Sequence, residues 1–177
     1  MSTAVTTNKV RLSYVHVFSP YSNADGQEPK YSVSIIISKK DTTTLNRIKA
    51  AIEEAKVAGK DKWGGKIPAN LKLPLHDGDT ERPDDPAYKN SYYCSCTTKR
   101  RPGVVDRDLN PILDPDEVYS GCYGRVALNL YPFNAAGNRG VAVGLNHVQK
   151  LEDGERLGGN GISVEAAFGG LDDDLFD

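Results

Sequence analysis

Two stretches of the sequence set aromatic, basic and amide side chains at alternate positions. From Cys122 to Phe133, one side carries Tyr123, Arg125, Asn129, Tyr131 and Phe133, and the other carries Cys122, Val126, Leu128 and Leu130. From Ser91 to Lys99, the set Ser91, Tyr93, Ser95, Thr97 and Lys99 alternates with Tyr92, Cys94, Cys96 and Thr98, then runs into Arg100 and Arg101. On a strand, alternate side chains face opposite ways, and the small thiols suit an interior. The wet side would then be a stacking platform. Ring faces take unpaired bases at about 1–3 kcal/mol each, whatever the base, while cations and amides meet phosphates and sugars. The candidate contacts are Tyr93, Lys99, Arg100, Arg101, Tyr123, Arg125 and Tyr131, joined by Lys62 and Trp63. The competing reading is that the tyrosines lie covered, because strands favour Tyr in any case. For Trp63, alone in a Gly-rich stretch, packing under its loop is the stronger reading.

Other chemistries fit the residue spacing less well. Asp77, Asp79, Asp84 and Asp85 could hold magnesium in a nuclease, but no Lys or His stands beside them at a catalytic spacing. Residues 106–117 offer oxygens at calcium-loop positions, yet Pro111 stands where such a loop turns on glycine. Cys94, Cys96 and Cys122 with His76 or His16 make poor zinc spacing. No phosphate-binding Gly-x-x-x-x-Gly-Lys loop and no Ser/His/Asp signature occurs. The expectation is a non-enzyme with no cofactor and no bound metal, the rival readings being a metal-dependent nuclease and a module that binds protein only.

Charge at first opposes a nucleic-acid partner. The 177 residues carry 22 Lys+Arg against 24 Asp+Glu, a net charge of -2. Position changes that reading. Four acids and no base fall in the last seven residues, so residues 1–170 carry +2. Tyr88 to Arg107 holds five bases against Asp106, while His76 to Pro86 holds five acids against Arg82. The chain divides into a basic working region and acidic segments.

The elements that position these residues follow from period and punctuation. Lys9 to Phe18 alternates Val10, Leu12, Tyr14, His16 and Phe18 against Arg11 and Ser13, which predicts a strand. A turn formed by Pro20 and Ser22 to Gly26 leads to a second strand, Tyr31 to Ser38, with Tyr31, Val33, Ile35 and Ile37 on one face and mostly serines on the other. Asp41 is placed to cap a helix running to about Val57, with Leu45, Ile48, Ile52 and Ala55 as its apolar stripe and Gly59 as its stop. Residues 60–90 show no clean period and predict a long structured excursion. Strands follow at Ser91 to Lys99, Val118 to Phe133 and Gly140 to Leu151, the last two joined through Asn134 to Asn138 as a hairpin.

These elements predict a mainly β fold: an OB-fold-like five-stranded antiparallel barrel with one main α-helix and a long loop insertion. Residues 1–160 would form the domain and 161–177 a flexible linker and tail, with the Gly-rich leader starting near Glu152. The polar start has no apolar export segment, and no run approaches the roughly 18 residues of a membrane span. With an odd count of three cysteines, the expected setting is a reducing cytoplasm.

Five segments in order resemble a family of bacteriophage single-stranded DNA-binding proteins. They are Lys62-Trp63, Pro74 to Asp79, Lys99 to Asp106, Tyr119 to Tyr123, and Asn138 to Asn146. Tyr-Ser-Gly-Cys-Tyr and Pro-x-Val-Val-Asp are the most specific, and the resemblance spans about residues 9 to 160. It implies an OB-fold and sequence-independent binding of single strands in phage replication or recombination, in the cytoplasm of the bacterial host, with a homo-oligomer among the states allowed.

The C-terminus, Asp172, Asp173, Asp174, Leu175, Phe176 and Asp177, resembles the acidic ends of bacterial and phage single-strand binders, though it ends in Asp177 and not in Phe. Such a peptide can mimic DNA in a basic groove and, when displaced, dock on replication or recombination partners. The bland alternative is a solubilising end.

Overall fold

The computed structural model describes residues 3–22 and 26–157. Strand β1 (Ala4–Thr6) precedes two long strands, β2 (Val10–Tyr21) and β3 (Lys30–Ser38). Helix α1 (Thr42–Ala58) follows, and a 3-10 turn at Lys60–Trp63 leads to β4 (His76–Asp77) and the short helix α2 (Gly78–Glu81). After a 3-10 turn at Pro86–Tyr88 come β5 (Ser91–Thr98) and β6 (Gly103–Val105). A 3-10 turn at Pro115–Glu117 precedes β7 (Tyr123–Ala135) and β8 (Asn138–Glu152).

Five of these strands close on themselves. The pairing runs β7-β2-β3-β5-β8, and β8 pairs back onto β7. Every join is antiparallel except β5 with β8, which meet parallel at Thr97 and Gly144. This is the expected OB-like barrel with one parallel seam. Strands β1, β4 and β6 are additions outside the closed ring, pairing with β7, β5 and β8 respectively. They are too short to show a period, so the sequence reading of five strands missed them.

The interior is filled from all five ring strands. Leu12, Val17, Val33, Ile35, Cys94, Cys96, Val126, Leu128 and Val148 are buried, and Cys122 lies beneath the turn before β7. The cysteines are core residues, as their strand face predicts. Helix α1 closes the barrel with Leu45, Ile48, Ile52 and Ala55 turned inward. The Asp41 side chain accepts from the Thr44 amide at 3.1 Å, satisfying one of the helix's free first-turn donors. Gly59 caps the end of α1, and the site has room only for glycine, because a Cβ there would lie 2.5 Å from Pro132 Cβ and 2.7 Å from the Trp63 ring. Between β7 and β8, Ala136 and Gly137 both have positive φ (51° and 86°), the signature of a two-residue type I′ turn.

Three boundaries differ from the sequence reading. The first strand, expected to end at Phe18, runs on through Pro20 to Tyr21. The strand expected from Val118 begins only at Tyr123, because Pro115–Glu117 is a 3-10 turn and Gly121 reverses the chain at φ 115°. The leader expected from Glu152 is docked as far as Leu157. Tyr119 Oη donates to Asp153 Oδ1 at 3.1 Å, Arg11 Nη2 donates to the Glu155 carbonyl at 2.7 Å, and the Leu157 amide donates to the Ser120 carbonyl at 2.9 Å. The acidic end, Asp172 to Asp177, lies outside the described residues, as does the proposed 160/161 boundary.

Candidate nucleic-acid interface

The outer face of β2, β3 and β5 is a trough with a floor of small hydroxyl side chains. The register sets Ser13 opposite Ser34 and Ser34 opposite Ser95, then His16 opposite Ser32 and Ser32 opposite Thr97. Ser34 and Ser95 hydroxyls are hydrogen-bonded at 3.1 Å. Because the floor is low, larger neighbours stand up as walls. Two adjoining depressions of about 400 and 430 Å³ share Tyr21, Ser32 and Thr97 along it.

One wall comes from β2 itself. The β2–β3 register shifts between Ser13 and His16, and Tyr14 takes a positive φ of 48° that is unusual for a bulky residue. The shift leaves the Tyr14 side chain 54% exposed. Next along the wall, the His16 and Tyr21 rings stack with centroids 4.2 Å apart and planes 5° from parallel. Partial burial pushes the His16 pKa down, favouring the neutral ring.

The facing wall is the segment from His76 to Tyr88. At its centre, Arg82 Nη1 donates to Tyr14 Oη at 3.2 Å. Its guanidinium carbon lies 4.8 Å from the Tyr88 ring, 5.2 Å from Tyr93 and 5.6 Å from Tyr14. The hydrogen bond to Tyr14 is the main reason its pKa is raised further. No carboxylate ion pair to Arg82 occurs among the described residues, so its charge is balanced by ring faces and phenol oxygens. Such a guanidinium keeps its attraction for a phosphate.

The acids of this segment hold the wall in place. Lys39 Nζ lies 3.0 Å from Asp77 Oδ1 and 2.8 Å from Asp79 Oδ2, which pins the segment to the end of β3. Those bonds are the leading cause of lowered pKa values at Asp77 and Asp79 and of a raised one at Lys39. Asp79 Oδ1 also accepts from the Asn90 amide, and Asp85 Oδ1 from the Ala87 amide. Among the described residues, no three His, Cys, Asp or Glu side chains gather as a metal site. Of the four carboxylates weighed for a nuclease, Asp77, Asp79 and Asp85 make these wall-building bonds.

The sequence-predicted residues are not brought together on one surface. Tyr93 stands in the trough wall, but its ring is engaged by Arg82, Tyr88 and His76. Lys99 lines the far end beside Lys30 and Tyr21 and lies 3.2 Å from Glu28. Arg100 and Arg101 are exposed in the following turn, at that same end.

The β7 residues lie elsewhere on the barrel, because β7 neighbours β2, β8 and β1 and never β3 or β5. Tyr123 sits under Lys9 and Arg11, at 5.4 and 5.5 Å. Arg125 Nε donates to the Thr7 carbonyl at 3.0 Å and holds β1 in place. Tyr131 is exposed opposite Ala142. Trp63 is buried at 7% exposure, with Nε1 donating to the Phe133 carbonyl at 3.1 Å, so it packs under its loop. Lys62 is exposed beside it, its carbonyl accepting from Asn134 Nδ2.

Sequence reasoning missed Tyr14, His16, Tyr21 and Arg82. The alternation from Val10 assigned Tyr14 and His16 to the same side as Leu12, and the register shift at Tyr14 breaks that phase: Val17, not His16, is the next core residue. The serines of β3 were the available signal, since small polar residues on a strand face leave room above them.

Known proteins share both sequence and shape with this chain. The family model of the Enterobacter phage Enc34 ssDNA-binding protein matches residues 3–176. Protein p50 of Acyrthosiphon pisum secondary endosymbiont phage 1 is 32% identical over 174 residues, covering 93% of this chain and 91% of that one. The structure of the single-stranded DNA-binding protein from bacteriophage Enc34 in complex with ssDNA is 27% identical, with a TM-score of 0.77, covering 88% of this chain and 89% of that chain. Bacteriophage T7 gp2.5, a single-stranded DNA-binding protein, shares the fold at 18% identity, with a TM-score of 0.63 over 98% of this chain and 97% of that chain. With the family model spanning nearly its whole length, the chain belongs to the Enc34 family of phage ssDNA-binding proteins.

Proposed function

We propose that this chain binds single-stranded DNA without sequence preference, along the outer face of β2, β3 and β5, and protects it during phage replication and recombination in the host cytoplasm. The observation that carries this reading is the trough: a hydroxyl floor, an exposed Tyr14, a stacked His16–Tyr21 pair and an Arg82 with no acidic partner among the described residues. Exposed ring faces take bases, Arg82 and Lys30 take phosphates, and Lys99, Arg100 and Arg101 continue the basic track beyond β5. A duplex presents stacked bases and offers the rings nothing. Family membership supports the same reading, because the Enc34 relative is a single-stranded DNA-binding protein.

The protein acts by binding alone, with no reaction, cofactor or resident metal. Its acidic end, Asp172 to Asp177, competes with DNA for the trough and recruits replication or recombination partners once displaced. Leu157, the last described residue, helps line a hollow shared with Tyr14 and His16.

A retardation series with single-stranded and duplex DNA, with and without magnesium, tests the whole reading. Retardation of single strands without cleavage supports it. Magnesium-dependent degradation, or no retardation of single strands, would overturn it.

A further inference from the structure

We propose that successive copies of this chain contact one another head to tail along a DNA strand, the 106–117 loop of one copy seating on the basic end of the next. Two surfaces whose residues do not line the trough carry this inference. The first is the loop between β6 and β7, where Leu109 and Leu113 are 69% and 81% exposed. Leu109 also has a positive φ of 67°, so the turn holds a large apolar side chain outward in a strained conformation. Around the two leucines stand Asp106, Asp108, Asp114, Asp116 and Glu117 against the single base Arg107.

The second surface is at the β7–β8 hairpin end. There Val57, Ile67 and Leu73 are exposed at 58%, 40% and 41%. Lys60, Lys66 and Lys72 stand among them, and Asp61 is the lone acid between residues 60 and 72. The two surfaces are complementary in kind, each apolar and of opposite charge, which favours encounter and fixes orientation.

Their placement decides the symmetry. The Lys72 amide donates to the Arg139 carbonyl, at the start of β8. The acidic loop is held at the other end, where Gln149 Nε2 donates to the Asp106 and Arg107 carbonyls at 3.4 Å. From Arg139 to Gln149 a strand covers about 30 Å, so the surfaces cap opposite ends of the barrel and one copy cannot satisfy both. Matching unlike patches makes a heterologous contact that repeats in a line, as coating a strand requires. The second copy is therefore the occupant we assign to each patch.

Charge exchange and cross-linking test this. Reversing the loop (Asp116→Lys with Glu117→Lys), or reversing the basic end (Lys60→Glu with Lys66→Glu), is expected to abolish cooperative filling of strands long enough for several copies. Affinity for a strand that holds one copy should not change, and a chain carrying all four substitutions should regain cooperativity. Independently of any DNA, Leu113→Cys copies mixed with Leu73→Cys copies should be joined by a short bis-maleimide, and neither variant should be joined to itself. The native cysteines are fully buried and do not compete. Non-cooperative filling by the parent chain, failure of the four-fold variant to recover, or cross-links only between identical variants would overturn the proposal. Loss of DNA binding with the mixed cross-link intact would instead count against the trough.

Discussion

Arg82 Nη1 donates to Tyr14 Oη at 3.2 Å, joining a strained residue of β2 to the middle of an acidic segment 68 residues away. The bond ties the two walls of the trough together and aims a cation and a ring at the same space. Arg82→Lys keeps the charge but not the planar fork that packs among Tyr14, Tyr88 and Tyr93. We expect Arg82→Lys to weaken single-strand affinity almost as much as Arg82→Ala. Equilibrium titration of the two variants checks this, and full retention by the lysine variant would reduce Arg82 to a point charge.

The basic turn after β5 makes a separate, electrostatic prediction. Each cation on a phosphate contributes about -0.7 to the slope of log affinity against log salt for single strands. Removing Arg100 and Arg101 together should therefore flatten that slope by about 1.4. A salt titration with an unchanged slope would place this turn off the DNA.

Trp63 has a structural task. Its ring packs against Gly59 and its N–H is held by the Phe133 carbonyl. Trp63→Ala should cost about 3–5 kcal/mol of stability by emptying a large buried volume. As the sole Trp, it should also keep its fluorescence nearly unchanged when DNA is added. Strong quenching by oligonucleotide would show that the ring contacts DNA.

Acid should release the Arg82 wall. Asp77 and Asp79 have pKa values lowered chiefly by Lys39, so their contribution is fully present above the unfolded value of 3.8. It is lost as pH falls through the lower folded values, when the protons taken up favour the undocked segment. Proteolysis or hydrogen exchange of residues 76–88 should rise below about pH 4, since exposed carboxylates titrate there. In Lys39→Met the same exposure should already be present at neutral pH.

Removing Leu171 to Asp177 takes four acids from a chain of net charge -2. Single-strand affinity should rise at low salt and converge with that of the full chain at high salt, where screening shortens the reach of the tail's charge. Equal affinity at low salt would leave the tail a solubilising end.

Much of the scaffold was legible because it depends on local chemistry. Asp41, the Leu45/Ile48/Ile52 stripe and Gly59 define α1 from one end to the other. Ala136 and Gly137 lie within the turn expected between the last two strands. The interior position of Cys94 and Cys96 followed from two-residue alternation. What alternation cannot show is where an outward residue falls around a closed barrel. Tyr123, Arg125 and Tyr131 face outward as expected, yet β7 lies beyond β2, so they do not share a surface with Tyr93 and Lys99. Tyr14 and His16 were misassigned because a register shift reverses the alternation within β2. Arg82 looked like a stray base among acids, although those acids serve to hold it in the trough wall.

The central claim is that the β2–β3–β5 trough, and not the outer face of β7, receives the DNA. The direct measurement is the affinity of two folded double variants for a short labelled oligothymidine. Stacking on a base is worth about 1–3 kcal/mol. Tyr14→Ala with Tyr21→Ala should therefore bind at least about tenfold more weakly than the parent, while Tyr123→Ala with Tyr131→Ala should bind like it. The reverse pattern would contradict the account.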